Sequence, residues 1–159
     1  QLGQLYLDLV LYKATDQPAE VLIEAERALR ESVRLDPENY RTYYYLGWVK
    51  EKQGDLASAI ECYRRAVGLS PKNQASLWRL GSRLTWMGEY EEALPYLERS
   101  VEHIPTVPEY DAAQWIGLGD TYLAVGSRDA AEQAYLKALS IQPDNEDARQ
   151  RLSDLYAGE

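Results

Sequence analysis

The sequence predicts an all-α fold of antiparallel helical hairpins stacked in series. Two observations carry this. Landmarks recur at a fixed interval: Pro37, Pro71 and Pro105 stand 34 residues apart, and Pro143 follows after 38. The turn glycines Gly54, Gly88 and Gly126 keep the same intervals, and so do Ala59, Ala93 and Ala131. Self-similarity at a fixed period is the mark of stacked supersecondary units. Between the landmarks, apolar residues follow the 3–4 spacing of a helix face rather than the alternation of a strand.

Each unit reads as two helices. Residues 1–39 form a degenerate first unit, in which Ala25, Leu29, Ser32 and Pro37 keep the second-helix register but no glycine marks a hairpin. Pro18 suits a helix start, where its missing N–H costs nothing. Residues 40–73 are the first full unit. Tyr43, Leu46, Gly47 and Lys50 mark its first helix, and Leu56, Ala59, Ile60, Tyr63, Ala66 and Val67 its second. Gly54 can end one helix and Asp55 cap the next, and Pro71 stops the second. Residues 74–107 repeat the plan, although Pro95 lies mid-helix, where it should kink the helix or cost a hydrogen bond. Residues 112–145 repeat it again. The four extra residues near "PTVPEYD" (105–111) are expected to lengthen a surface loop. Residues 146–159 carry Arg149, Leu152, Leu155 and Tyr156 at helical spacing and read as a C-terminal capping helix, since a last repeat would otherwise expose its inner face.

In the third full unit Trp115, Leu118, Gly119, Tyr122, Gly126, Ala131, Tyr135, Ala138 and Pro143 fall in one register. That register, W-x2-L-G-x2-Y, a turn glycine, A-x3-F, A and P, resembles the tetratricopeptide repeat family. Tyr stands where the motif prefers Phe, and Tyr43 and Leu77 fill the Trp slot of the two earlier units. The resemblance implies a right-handed superhelical solenoid over a single domain, 1–159, with a concave wall lined by the first helix of each repeat. It implies a non-enzymatic module for protein–protein interaction.

The face of the first helix next to its packed face carries Arg41, Tyr44, Trp48, Glu51 and Lys52 in the first full unit. The second full unit places Ala75, Trp78, Ser82, Thr85 and Trp86 there, and the third Ala113, Ile116, Asp120, Leu123 and Ala124. Spacings of three and four keep each set on one side. Three of the four tryptophans therefore line the expected wall, and Trp and Tyr are the usual anchors of binding hot spots. Arg41, Tyr44, Trp48, Lys52, Trp78, Arg79, Ser82, Thr85, Trp86, Ile116, Asp120 and Leu123 are the expected binding residues. The expected partner is a protein or peptide segment with apolar or aromatic anchors. Some members of the family hold the acidic tails of heat-shock chaperones in a carboxylate clamp of Lys, Arg and Asn. The matching positions here are Tyr44, Trp48, Arg79, Ala113 and Gly117, or, one repeat earlier, Val10, Ala14, Tyr45, Ala75 and Arg79. Neither frame keeps more than one base, so chaperone tails are not the expected ligand.

Composition narrows the alternatives. A net charge of −9 lacks the basic footprint of nucleic acid binding and of attraction to an anionic membrane. No apolar stretch approaches the ~18 residues of a membrane helix, and no signal peptide is visible. A soluble chain, cytoplasmic by default, is expected. The start at Gln1 rather than Met reads as a piece of a longer chain or a processed form. One cysteine, Cys62, leaves no internal disulfide or multi-cysteine metal site. The single histidine, His103, has no nucleophile as partner, and no cofactor is expected. "GLGD" (117–120) is half a dinucleotide fingerprint, but it lies in a helix without a preceding strand, so it is rejected. Glu89, Glu91 and Glu92 read as acids favouring a helix N-terminus. Two other functional readings stand beside the peptide module. One is self-association through the terminal repeats, suggested by "LYLDLVLY" (5–12), which would make a homo-oligomer. The other is an acidic secretion chaperone.

Overall fold

A computed structural model describes residues 19–102 and 108–157, with side chains of the later segment described from Asp111. The described residues form eight helices and no strand: α1 (Ala19–Leu35), α2 (Tyr40–Lys52), α3 (Leu56–Leu69), α4 (Gln74–Met87), α5 (Tyr90–Val101), α6 (Pro108–Ala124), α7 (Arg128–Ile141) and α8 (Glu146–Ala157). The fold is all-α, as expected. The chain divides into two compact units, Gln1–Pro71 and Lys72–Glu159. The boundary falls within two residues of a repeat junction. "LYLDLVLY", Pro18 and His103 lie outside the described residues.

In the first unit α1 turns Leu22, Ala25 and Leu29 to one side, where they join Leu46, Trp48 and Val49 of α2 in a buried cluster. Each fully buried aliphatic side chain contributes about 1.5–3 kcal/mol. The same interface carries a charged knot. The Glu26 carboxylate accepts from Lys50 at 2.8 Å, Arg30 at 2.8 Å and Gln53 at 3.0 Å. These donors, Lys50 first, hold its pKa at about 2. α2 starts at Asn39, whose side chain accepts from the Arg41 amide, and α3 at Asp55, which accepts from the Ser58 amide. Each such cap is worth about 1 kcal/mol. α2 and α3 close into a hairpin across Gly54.

The second unit repeats the hairpin twice, α4 with α5 and α6 with α7, and ends in α8. Gly88 sits at φ +83° and ends α4, with its amide reaching the carbonyls of Leu84 and Thr85. Only glycine takes that conformation readily. α5 remains a helix through Pro95, which is exposed. α6 begins at Pro108, so residues 108–111 of the expected insertion form a helical turn before the repeat register, and residues 103–107 lie outside the described residues. Pro108 occupies the first helical position, where its fixed φ and missing N–H are favoured.

The glycine of each first helix is a seat for a side chain of the second. A Cβ on Gly47 would lie 2.7 Å from the Tyr63 ring, and one on Gly81 2.6 Å from Leu97. At Gly119 the Tyr135 ring leaves no room either. Tyr63 and Tyr135 are fully buried, yet each hydroxyl has a partner. Tyr63 donates to Glu51 at 3.0 Å and Tyr135 to Asp120 at 2.8 Å. A phenylalanine would fill the seat and leave the carboxylate without that donor. α8 buries Ala148, Leu152 and Leu155, with Leu152 and Leu155 meeting Ala131 and Tyr135. It serves as the expected cap.

Candidate functional site

The expected binding residues fall into sets fixed by the helix that carries them. In the first unit, α2 holds Arg41, Tyr44, Trp48 and Lys52. Arg41 is exposed and donates to the Tyr40 hydroxyl at 3.3 Å. Tyr44 is half-buried, edge-on to Tyr45 at 5.3 Å and tilted against Tyr63 at 6.0 Å. Trp48 departs from the expectation of an open anchor. It is only 7% exposed and belongs to the apolar cluster with Leu22 and Leu29. The Lys52 ammonium stands 5.6 Å over its ring, a cation–π contact that covers the little that remains. Trp48 therefore adds packing, Tyr44 stays half-buried, and Arg41 and Lys52 are the exposed members of the set on this helix.

In the second unit the expected wall residues lie on α4 and α6. Trp78 is half-buried, because its ring tip occupies the space beside Gly117, where a Cβ would come within 2.6 Å. Arg79 is half-buried too, and engaged within the fold. Ser82 donates to the Arg79 carbonyl at 3.2 Å and Thr85 to the Gly81 carbonyl at 3.1 Å. Thr85 also meets the Thr121 hydroxyl at 3.0 Å, which joins α4 to α6. Asp120 is among the expected binding residues, but its carboxylate is already committed. Arg151 of α8 donates to both its oxygens, at 2.6 and 3.1 Å, and Tyr135 donates as well. Burial first, and then that bond, push the Tyr135 phenol above its ordinary range. Ile116 is half-buried against the packed core.

Two of the expected residues stand open in this unit. Trp86, on the last turn of α4, is 77% exposed, and Leu123, on the last turn of α6, is 43% exposed. Trp86 lies two turns beyond Trp78 on the same side of α4. Met87, 54% exposed, extends the patch and was not anticipated. Its only sequence signal is its place next to Trp86 at a helix end. Beside Leu123, a cavity of about 540 Å³ is lined by Asp120, Ala124, Arg128, Arg151, Asp154 and Leu155. No group of three or more metal-ligating residues comes together among the described residues. No helix there is long and apolar enough to cross a membrane. Cys62 is half-buried on α3, and burial raises its thiol pKa, which disfavours the reactive thiolate.

Two models of the tetratricopeptide repeat match the sequence, one over residues 24–74 and the other over 73–144. The chain belongs to the tetratricopeptide repeat family. Among curated relatives of this repeat protein is human tetratricopeptide repeat protein 7B, 30% identical over 142 residues, covering 89% of this chain and 16% of that one. The chain spans about one sixth of the length of such relatives. Among solved structures, MamA superposes with a TM-score of 0.78 at 28% identity, over 87% of this chain and 79% of its own. YrrB, described as a tetratricopeptide repeat protein with an unusual peptide-binding site, superposes with a TM-score of 0.72 at 26% identity, over 95% and 71%. Tetratricopeptide repeats and their structural neighbours are generally non-catalytic.

Proposed function

We propose that this repeat protein is a non-enzymatic interaction module that holds a peptide or protein segment against the first helices of its repeats. In the first unit Arg41, Tyr44 and Lys52 serve. In the second Trp78, Arg79, Ser82, Thr85, Trp86, Ile116 and Leu123 serve, with Asp120 fixing the wall rather than touching the ligand. The observation that carries the reading is Trp86, a tryptophan 77% exposed on a well-packed helix. An open large aromatic adds little to packing and offers most of its roughly 150–250 Å² for burial against a partner. Helices already fixed in place leave little ordering cost on binding. The likeness to YrrB, a repeat protein with an unusual peptide-binding site, supports the reading.

The test is affinity capture on the immobilised chain beside a Trp86→Ala, Leu123→Ser variant whose helicity is confirmed by circular dichroism. Partners retained by the parent and lost by the variant are expected. Identical retention by both would overturn the assignment. A second reading, self-association, rests on Ile23 and Leu35 of α1, which are 54% and 70% exposed. Light scattering over a dilution series tests it, and a mass that stays monomeric would remove it.

A further inference from the structure

We propose that the Trp86–Met87 tip of the second unit takes a partner segment in which an apolar anchor stands beside Lys or Arg side chains. The inference rests on the interaction reading above and names the chemistry of the ligand.

Charge is unevenly placed along the chain. Residues 72–159 hold eight Lys and Arg against fifteen Asp and Glu, so this unit carries −7 of the net −9. Several carboxylates of this unit are committed within the fold. Asp120 is held by Arg151 and Tyr135, Glu98 by Tyr122, Glu132 by Tyr156 and Asp154 by Gln150. Glu92 is engaged as well. Glu89 and Glu91 differ. Both are exposed, and neither side chain has a hydrogen-bond or ion-pair partner among the described residues.

Both residues follow the open apolar pair directly across the Gly88 turn, at the start of α5. The left-handed turn at Gly88 folds the chain back, and the Glu89 amide bonds the Leu84 carbonyl at 3.0 Å. The first turn of α5 is thus fixed beside the last turn of α4, which bears Trp86 and Met87. A tryptophan face with carboxylates next to it suits a cation. The ring attracts it through its quadrupole, and the carboxylates pair with it. Lys52 over Trp48 shows the same cation–ring contact inside this molecule. An acidic segment would meet the full field of a unit at −7 and is disfavoured there.

The test is a random 12-residue phage library panned on the immobilised full chain at low salt, with the recovered peptides titrated by fluorescence anisotropy. Recovered sequences are expected to place Leu, Met or an aromatic residue next to Lys or Arg. Trp86→Ala should weaken them by about thirtyfold or more. Glu89→Gln with Glu91→Gln should weaken them about threefold to twentyfold at low salt, and the difference should shrink in 0.5 M salt. Peptides lost with Trp86→Ala but indifferent to both glutamates and to salt would overturn the charge proposal while leaving the site intact. Acidic recovered sequences would do the same. Binding unaffected by Trp86→Ala, or no clone above that variant's background, would overturn the site together with the proposal.

Discussion

A hydroxyl on a buried ring has to go somewhere, and in this protein it goes to the end of the preceding helix. Tyr63 and Tyr135 lie in the glycine seats of their hairpins and donate to Glu51 and Asp120. The chain has no phenylalanine and thirteen tyrosines, and these two positions show what the phenol adds. Tyr135→Phe keeps the ring and deletes the bond, so it should cost about 1 kcal/mol, read as a lower urea midpoint with an unchanged slope. The phenols also give an alkaline signature. Burial and the bond to Glu98 push Tyr122 up to about 12, and Tyr135 is raised in the same direction. A phenol whose folded pKa is raised contributes stability that is present below its unfolded pKa near 10. That stability is lost as pH rises from about 10 toward 12, and thermal melts across that range should show the fall. Gln114 is the opposite case. It is fully buried, and both its amide atoms lack a partner among the described residues. Gln114→Met keeps the shape and removes the unpaired groups, so the urea midpoint should rise, by about 1 kcal/mol in stability.

Among elements, α1 is tied to α2 by both grease and charge, and the charge has a pH window. Glu26 is depressed from 4.5 to about 2. A carboxylate with a lowered folded pKa contributes stability that is present above about 4.5 and lost as pH falls toward 2. With solvent screening allowed for, Glu26→Gln should remove about 1–2 kcal/mol at pH 7. It should also flatten the acid limb of a denaturation series, so an unchanged acid limb would count against the knot. The elements themselves were largely legible in the sequence. Turn glycines, cap residues and 3–4 spacing are local signals, and α2 to α5 and α8 follow them. The extra turn of α6 was not legible, because Pro108 starts a helix as readily as it continues a loop. Nor was the fate of the tryptophans. Trp48, Trp78 and Trp86 share one helical face in the repeat alignment, yet they are buried, half-buried and open in turn. Which one is covered depends on residues distant in sequence: Leu22 and Leu29 at Trp48, Gly117 at Trp78. Asp120 likewise looks free until Arg151, 31 residues on, is brought to it.

At the scale of the whole molecule, the second unit holds two complete hairpins and their cap. A fragment starting at Lys72 should therefore fold alone, as neighbouring repeats supply most of each other's stability. Circular dichroism should show a helical spectrum and a cooperative melt, whereas a disordered spectrum would mean that this unit needs residues 1–71. The same unit carries a restriction on how such a chain can be rebuilt. The position that is Gly117 in the last full repeat is Arg79 in the repeat before it and Tyr45 in the one before that. Only the glycine leaves space for the Trp78 ring. If residues 74–107 were copied and inserted after themselves, the duplicate would present an arginine to that indole. The repeats look like interchangeable beads, but this pair is keyed. A lineage or a designer lengthening the array at this junction would have to change the key and the lock together.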